Sequence, residues 1–160
     1  MEEHVISVTV ENRFGMLARI AGLFSARGYN INSLVVAATE DAAVSRMIIT
    51  VAGDERVIEQ INKQLNKLIG VIKVTDFSEG NYLERELLLV KVNISGQERG
   101  EILQLAELFQ GRVIDINRRF LTVELVGEAR KIDGLLEMLK PYGVKEVVRT
   151  GKMAVSRESG

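Results

Sequence analysis

The residues whose types and spacing could do chemistry lie at positions 12–17, in a segment that contains Asn12 and Gly15. An apolar, β-branched run at residues 5–10 precedes the segment, and residues 17–24 place apolar side chains at helical spacing. The segment therefore leads from a strand into the first turn of a helix, where backbone N–H groups have no partner within the helix. Such a terminus can receive a small anion, and Gly15 lets the backbone approach it closely.

Each candidate position also has a purely structural interpretation. Asn12 can simply cap the helix, and Gly15 can serve backbone geometry alone. Asn30 follows a glycine-containing turn and can be an ordinary turn residue, while Met16 or Leu17 can belong to the core. Every helix has an N-terminus, so residue types and spacing alone leave these alternatives open.

The composition excludes several classes of function. The chain has no cysteine and one histidine, which excludes disulfides, thiolate or histidine-rich metal sites and cysteine nucleophiles. No paired carboxylates, nucleophile with a base, Walker loop or dinucleotide-binding loop can be found, so the chain is not expected to be an enzyme by itself. A net charge of −1 gives no general attraction to nucleic acid or to anionic membrane. No apolar run could span a bilayer and the acidic N-terminus is unlike a signal peptide, so a cytoplasmic protein is expected.

The order of the predicted elements occurs twice along the chain. In the first half, helices at residues 17–24 and 57–68 separate strands at residues 5–10, 31–38, 46–51 and 71–77. In the second half, helices at residues 102–109 and 132–139 separate strands at residues 87–94, 112–116, 120–126 and 144–148. Both halves follow the β-α-β-β-α-β order of the ferredoxin-like fold. We predict an α+β protein with two tandem ferredoxin-like domains, at residues 1–78 and 84–160, joined by a linker at residues 79–83.

The first predicted domain is expected to pair with a second copy of itself. A domain of about 80 residues buries only roughly 60–65% of its unfolded surface, so an isolated copy is marginally stable. The segment from Leu34 to Ala38 contains no charged residue that would block pairing at the edge of a sheet. Pairing of this segment with its twin across a two-fold axis would give a homodimer.

Several segments together resemble a known family. Residues 12–24 and 27–31 resemble the opening of an ACT domain. With residues 45–47, 60–65 and 84–92, the chain more narrowly resembles the small regulatory subunit of acetolactate synthase (acetohydroxyacid synthase). The resemblance covers essentially the whole chain, including the second domain.

The resemblance implies a regulatory role. In this family a separate large subunit joins pyruvate to a second 2-oxo acid, using thiamine diphosphate, FAD and Mg²⁺, whereas the small subunit holds none of these cofactors. The small subunit raises that activity and confers feedback inhibition by a branched-chain amino acid, usually valine. The implied partners are therefore the large subunit, a second copy of this chain and the amino-acid effector. A stand-alone amino-acid sensor of ACT type, acting on another enzyme or a transcription factor, is the alternative.

The resemblance also implies where the effector binds. In the family it lies between the first loop of one ACT domain and the start of the second strand of its neighbour. Carried over to this sequence, the effector-binding residues are Asn12, Gly15, Met16 and Leu17 from one chain, with Asn30 and Ile31 from the other. Backbone N–H groups at positions 15–17 could receive the carboxylate of an amino acid, and the two asparagine amides could bind its ammonium and carboxylate. The side chains of Met16, Leu17 and Ile31 could surround a small branched side chain.

Overall fold

A computed structural model describes residues 2–77 and 80–158 and divides them between two compact units. The first unit contains the described residues up to Leu83 together with those from Lys152 onwards, and the second unit is Glu84–Gly151. Within the described part of the chain, no helix has the length and apolarity needed to cross a membrane.

The first unit is a four-stranded antiparallel sheet with two helices. Its elements are β1 (Glu3–Glu11), α1 (Met16–Ala26), β2 (Ile31–Ala38), β3 (Val44–Ala52), α2 (Glu55–Lys67) and β4 (Val71–Asp76). The strand order in the sheet is β2-β3-β1-β4, which places β2 at one edge and β4 at the other. Strand β3 pairs with β1 along its whole length and with β2 from Ser45 to Val51.

The core of the first unit lies between one face of the sheet and the two helices. Alternate residues of a strand point to the same face, and residues spaced by three or four share one face of a helix. The buried residues follow these periods: Ile6, Val8 and Val10 on β1, Met16, Ile20 and Phe24 on α1, and Ile58, Ile61 and Leu65 on α2. Asp54 caps α2, because its side chain accepts the Val57 N–H at 3.0 Å.

The second unit has the same order of elements. These are β5 (Tyr82–Asn93), α3 (Glu98–Leu108), β6 (Arg112–Ile116), β7 (Phe120–Gly127), α4 (Ala129–Leu139) and β8 (Val144–Arg149). Its strand order is β6-β7-β5-β8, equivalent to that of the first unit. A separate core forms between the sheet and the two helices, with Ile102, Ala106, Ile132, Leu135 and Leu139 as its buried helical residues.

The structure confirms the predicted α+β fold with two tandem ferredoxin-like repeats. The predicted second domain covers residues 84–160, whereas the second unit of the structure ends at Gly151. A ninth strand, β9 (Met153–Ser156), pairs with β5 and is grouped with the first unit, where Ala154 packs against Val5, Ile48 and Phe77. Of the predicted linker at residues 79–83, Glu79 lies outside the described residues, and the last two residues begin β5.

Candidate functional site

The loop between β1 and α1 ends in a glycine with a left-handed backbone. Gly15 has φ 86° and ψ −5°, a conformation that favours glycine. Its carbonyl accepts the Arg19 N–H at 3.0 Å, which is the first hydrogen bond of α1. A Cβ added at Gly15 would meet no atom within 4 Å. Gly15 therefore sets the direction in which the chain enters α1 and leaves open space beside the start of the helix.

No side chain caps the start of α1, and its first turn contains no acidic residue. The start of α2 differs, since Asp54 caps it and Glu55 stands in its first turn. At α1, the Met16 N–H donates to the Arg13 carbonyl over a long 3.4 Å. The Leu17 N–H lies in the first turn, where the helix itself offers no carbonyl to accept it. The start of α1 therefore keeps a partial positive charge that an anion would neutralise.

Asn12 is held against the turn between β2 and β3. Its Nδ2 donates to the Ala42 carbonyl at 2.9 Å, and its backbone N–H donates to the Ala43 carbonyl at 2.8 Å. The amide nitrogen expected to assist a carboxylate is thus engaged with the protein. The amide oxygen takes no part in either bond, and it is the atom that could accept a proton from an ammonium group.

The two apolar residues that begin α1 have different surroundings. Met16 is 3% exposed and belongs to the first core, whereas Leu17 is 45% exposed. The spacing of Met16, Ile20 and Phe24 places Met16 on the buried face of the helix. The Leu17 side chain is therefore accessible to a ligand, whereas the Met16 side chain is packed in the core.

Asn30 and Ile31 lie at the start of β2. The Asn30 Nδ2 donates to Asn32 Oδ1 at 3.0 Å, and Ile31 is half-buried against the first core. Ile31 pairs with Val51, near the C-terminal end of β3. This end of the sheet is remote from the loop that contains Gly15.

The register of the sheet shows how far apart the two halves of the predicted site lie. Glu11, the last residue of β1, pairs with Val44 at the start of β3. Ala38, the last residue of β2, pairs with Ser45, the next residue of β3. The loop at residues 12–17 therefore lies near the end of β2, and Asn30 precedes its start. An eight-residue strand spans about 25 Å, so one chain does not bring the two halves together.

Two arginines join the start of α1 to the end of α2, a contact that the sequence analysis did not predict. Arg13 Nη2 and Arg19 Nη1 both donate to the Ile69 carbonyl, at 3.4 and 3.2 Å. Arg13 Nε also pairs with Glu11 at 3.1 Å. Ile69 follows α2, and cations are favourable at the C-terminal end of a helix. No local pattern connects positions 13 and 19 with position 69, so only the fold reveals this contact.

The fold and the loop define the class of protein: an ACT domain followed by a second ferredoxin-like domain. Residues 6–73 match a family model described as the AHAS small subunit-like ACT domain. Residues 85–158 match a second family model, described as the small subunit of acetolactate synthase.

Relatives of similar length extend this match over the whole chain. The acetolactate synthase small subunit of Aquifex aeolicus is 46% identical over 159 residues, which cover 99% of this chain and 83% of that protein. The acetolactate synthase isozyme 3 small subunit of Escherichia coli is 45% identical over 154 residues, 96% of this chain and 94% of that protein. The crystal structure of the acetolactate synthase small subunit from Thermotoga maritima has a TM-score of 0.89 and 39% identity, with both chains fully covered. The chain belongs to the acetolactate synthase small-subunit family.

Proposed function

We propose that this chain is the regulatory subunit of acetolactate synthase in branched-chain amino-acid biosynthesis. It binds and activates a catalytic large subunit, and it makes that enzyme subject to feedback inhibition by valine. The names of the relatives support the pairing with a large subunit. The catalytic residues, thiamine diphosphate, FAD and Mg²⁺ belong to the large subunit in this proposal, and this chain contributes none of them.

The observation that carries the proposed effector site is the uncapped start of α1 beside the edge strand β2. Two copies paired antiparallel through β2 would place the start of β2 in one protomer beside the end of β2 in the other. Asn30 and Ile31 of one protomer would then face the loop at residues 12–17 of its partner. The lack of charged side chains in β2 and the exposure of Val36 favour such pairing. Because the two halves lie about 25 Å apart within one chain, only the pair of protomers completes the pocket.

Each part of an amino-acid effector has a counterpart in this pocket. The carboxylate binds at the start of α1, beside the Leu17 N–H and the open space at Gly15. The ammonium group donates to the amide oxygens of Asn12 and of Asn30 from the other protomer, and the branched side chain contacts Leu17 and Ile31. Preference for valine over its homologues depends on the fit of a methylene group, worth about 1–3 kcal/mol.

Regulation then follows from a shift between two arrangements of the paired ACT domains. An effector that contacts both protomers stabilises the arrangement in which its two half-sites are closest. The large subunit responds to that arrangement, and an effector with equal affinity for both arrangements would change nothing.

A reconstituted enzyme tests the proposed function. The purified chain is mixed with the large subunit of the same organism, and acetolactate formation is followed while valine is added. The chain is expected to raise the rate, and valine is expected to lower it again. A large subunit whose rate does not respond to the chain would contradict the proposal. Valine binding without that response would favour the stand-alone sensor.

A further inference from the structure

The turn between α2 and β4, at residues 68–71, holds the loop that leads into α1. The Glu11 N–H, just before the loop, donates to the Gly70 carbonyl at 2.8 Å. Arg19, just after the loop, donates from its Nη1 to the Ile69 carbonyl at 3.2 Å. The turn therefore contacts the chain on both sides of the segment that is proposed to receive the effector.

Arg19 connects this turn to the glycine at the start of α1. Its backbone N–H donates to the Gly15 carbonyl at 3.0 Å, and its side chain donates to Ile69. A basic residue in the first turn is unfavourable to its own helix, because partial positive charge gathers there. The same guanidinium is favourable at the C-terminal end of α2, where carbonyls have no partner within the helix. The contact with the turn, and not the stability of α1, explains a basic side chain at position 19.

Gly70 lets the turn lie closer to the loop than another residue would allow. Its φ of 97° is in the left-handed region that favours glycine. An added Cβ would lie 2.8 Å from Met16 Sδ and 2.9 Å from Arg13 Nη2, distances that real Cβ atoms essentially never show. Met16 stands between Gly15 and Leu17, where the carboxylate is proposed to bind. The close approach at Gly70 therefore bears directly on the backbone that would receive it.

We propose that Arg19 and Gly70 are positioning residues of the effector site. They hold the loop in the conformation that receives a carboxylate, and neither of them contacts the effector. The other side of the loop is held by Asn12, whose side chain donates to the Ala42 carbonyl. A site that is ordered before the ligand arrives avoids the cost of ordering it on binding. This inference rests on the proposed function, since it assumes that the loop binds an amino-acid carboxylate.

The first test removes the side-chain donor with Arg19→Met, which keeps an unbranched apolar stem. The Kd of the purified chain for valine, measured by calorimetry, is expected to rise by about three- to tenfold. Arg19→Lys keeps a positive charge and a donor, so its Kd should lie closer to the wild-type value. Arg99→Met is the matched control, because Arg99 is an exposed arginine in the first turn of α3 in the second unit. Its Kd should stay within about twofold of the wild-type value, as for most exposed substitutions.

The second test, Gly70→Ala, changes no charge. The added Cβ must displace Met16 or Arg13, so the Kd for valine should rise here as well. Gly80→Ala is the control, because Gly80 also has a left-handed backbone, with φ 79°, but its added Cβ would meet no atom within 4 Å. Gly80→Ala should lose stability in urea unfolding through backbone strain alone and should keep its affinity for valine.

A salt series separates positioning from a direct attraction between the Arg19 charge and the carboxylate. A direct attraction would be screened, so the ratio of the Arg19→Met Kd to the wild-type Kd would fall towards one in about 1 M salt, where the Debye length is about 3 Å. Positioning through a hydrogen bond predicts that the ratio persists at this salt concentration.

The outcomes separate this inference from the proposed function. Wild-type affinity for valine in folded Arg19→Met and Gly70→Ala chains would overturn the positioning role and leave the proposed function standing. A ratio that salt abolishes would also overturn it, and would assign Arg19 to direct attraction. A wild-type chain that binds no valine would overturn both. If Gly70→Ala does not fold, Arg19→Met and its salt series decide the question.

Discussion

Asn12 and Asn30, the two side-chain amides assigned to the effector, lie at opposite ends of one four-stranded sheet. Both β1 and β2 pair antiparallel with β3, but the loop with Asn12 follows the end of β1 whereas Asn30 precedes the start of β2. The two parts of the proposed effector site therefore lie apart within one chain. Antiparallel pairing of two chains along β2 is the arrangement that would bring a half-site of each kind together.

Substitution of Gly15 by aspartate should abolish feedback and preserve activation of the large subunit. The added carboxylate would stand beside the carboxylate of the effector, and like charges in close contact oppose binding. No atom lies within 4 Å of the added Cβ, so the side chain has room, although the left-handed backbone of Gly15 strains any substitution there. Inhibition by valine of the reconstituted enzyme measures the effect.

Gly15→Asn is the matched control for that substitution. Asparagine has the same shape without the charge and tolerates the left-handed conformation better than most residues. It should retain more of the valine inhibition than Gly15→Asp does. Equal inhibition curves for Gly15→Asp and the wild type would show that no carboxylate binds at this helix start.

Asn12→Ala should weaken binding of the effector by about 1–3 kcal/mol. The substitution removes the proposed hydrogen bond from the ammonium group of the bound effector to the Asn12 amide oxygen. The same change removes the bond that holds the loop to the Ala42 carbonyl. Calorimetric titration of the isolated chain with valine gives the affinity. Asn66→Ala is the control, because its amide only donates to the Asn62 carbonyl on the surface of α2. An affinity unchanged by Asn12→Ala would remove Asn12 from the site.

Glu86→Gln should lower the free energy of unfolding by about 1.5–3 kcal/mol, since it weakens the charge-assisted hydrogen bonds between the buried Glu86 and Arg149. Glu86 is 2% exposed and accepts two hydrogen bonds from Arg149, at 2.6 and 3.0 Å. These bonds, together with the Asp133 carboxylate, raise the pKa of Arg149 above its usual range. Urea unfolding measures the loss. Asp133→Asn, which removes the exposed partner of Arg149, should cost less than about 1 kcal/mol, and an equal loss in both variants would argue against a buried pair.

Tyr142 should ionise at higher pH than an ordinary tyrosine. Its hydroxyl donates to Glu101 at 2.8 Å, and this hydrogen bond, with some desolvation and the negative charge of Glu101, raises the pKa of Tyr142 above 10.0. A pKa raised by folding adds stability that is complete below about pH 10 and is lost as pH rises through the folded value. Above about pH 10, wild type should therefore lose stability relative to Tyr142→Phe. The phenolate absorbance of both proteins is followed as pH rises, and the difference between wild type and Tyr142→Phe isolates the titration of Tyr142. A midpoint at or below the ordinary tyrosine pKa of about 10 would contradict the prediction.

Periodicity along the chain was enough to predict the repeated fold, because the helices and the central strands of both sheets carry buried residues at a regular spacing. Strand β9 escaped prediction for the opposite reason. It has four residues, of which Met153 and Val155 are exposed, and its contact with the first unit is made by Ala154. A contact between residues so far apart in sequence leaves no local pattern.

In the loop at residues 12–17, the sequence likewise could not predict the surroundings of single side chains. The sequence placed the loop correctly before α1, but helical spacing did not decide whether Met16 or Leu17 would be buried. The structure buries Met16, whose Sδ would lie 2.8 Å from a Cβ added at Gly70. Gly70 thus leaves room for Met16, and this relation depends on how α1 packs beside the end of α2.

The most direct test of the account uses mixed dimers of Gly15→Asp and Asn30→Ala chains, isolated with two different affinity tags. Each variant alone should lose high-affinity valine binding, because both pockets of its homodimer carry the defect. A mixed dimer should recover one pocket of wild-type affinity, formed by the intact loop of one protomer and the intact β2 start of the other. Calorimetry that finds this single tight site would support a pocket shared between chains, and a mixed dimer without any tight site would contradict it.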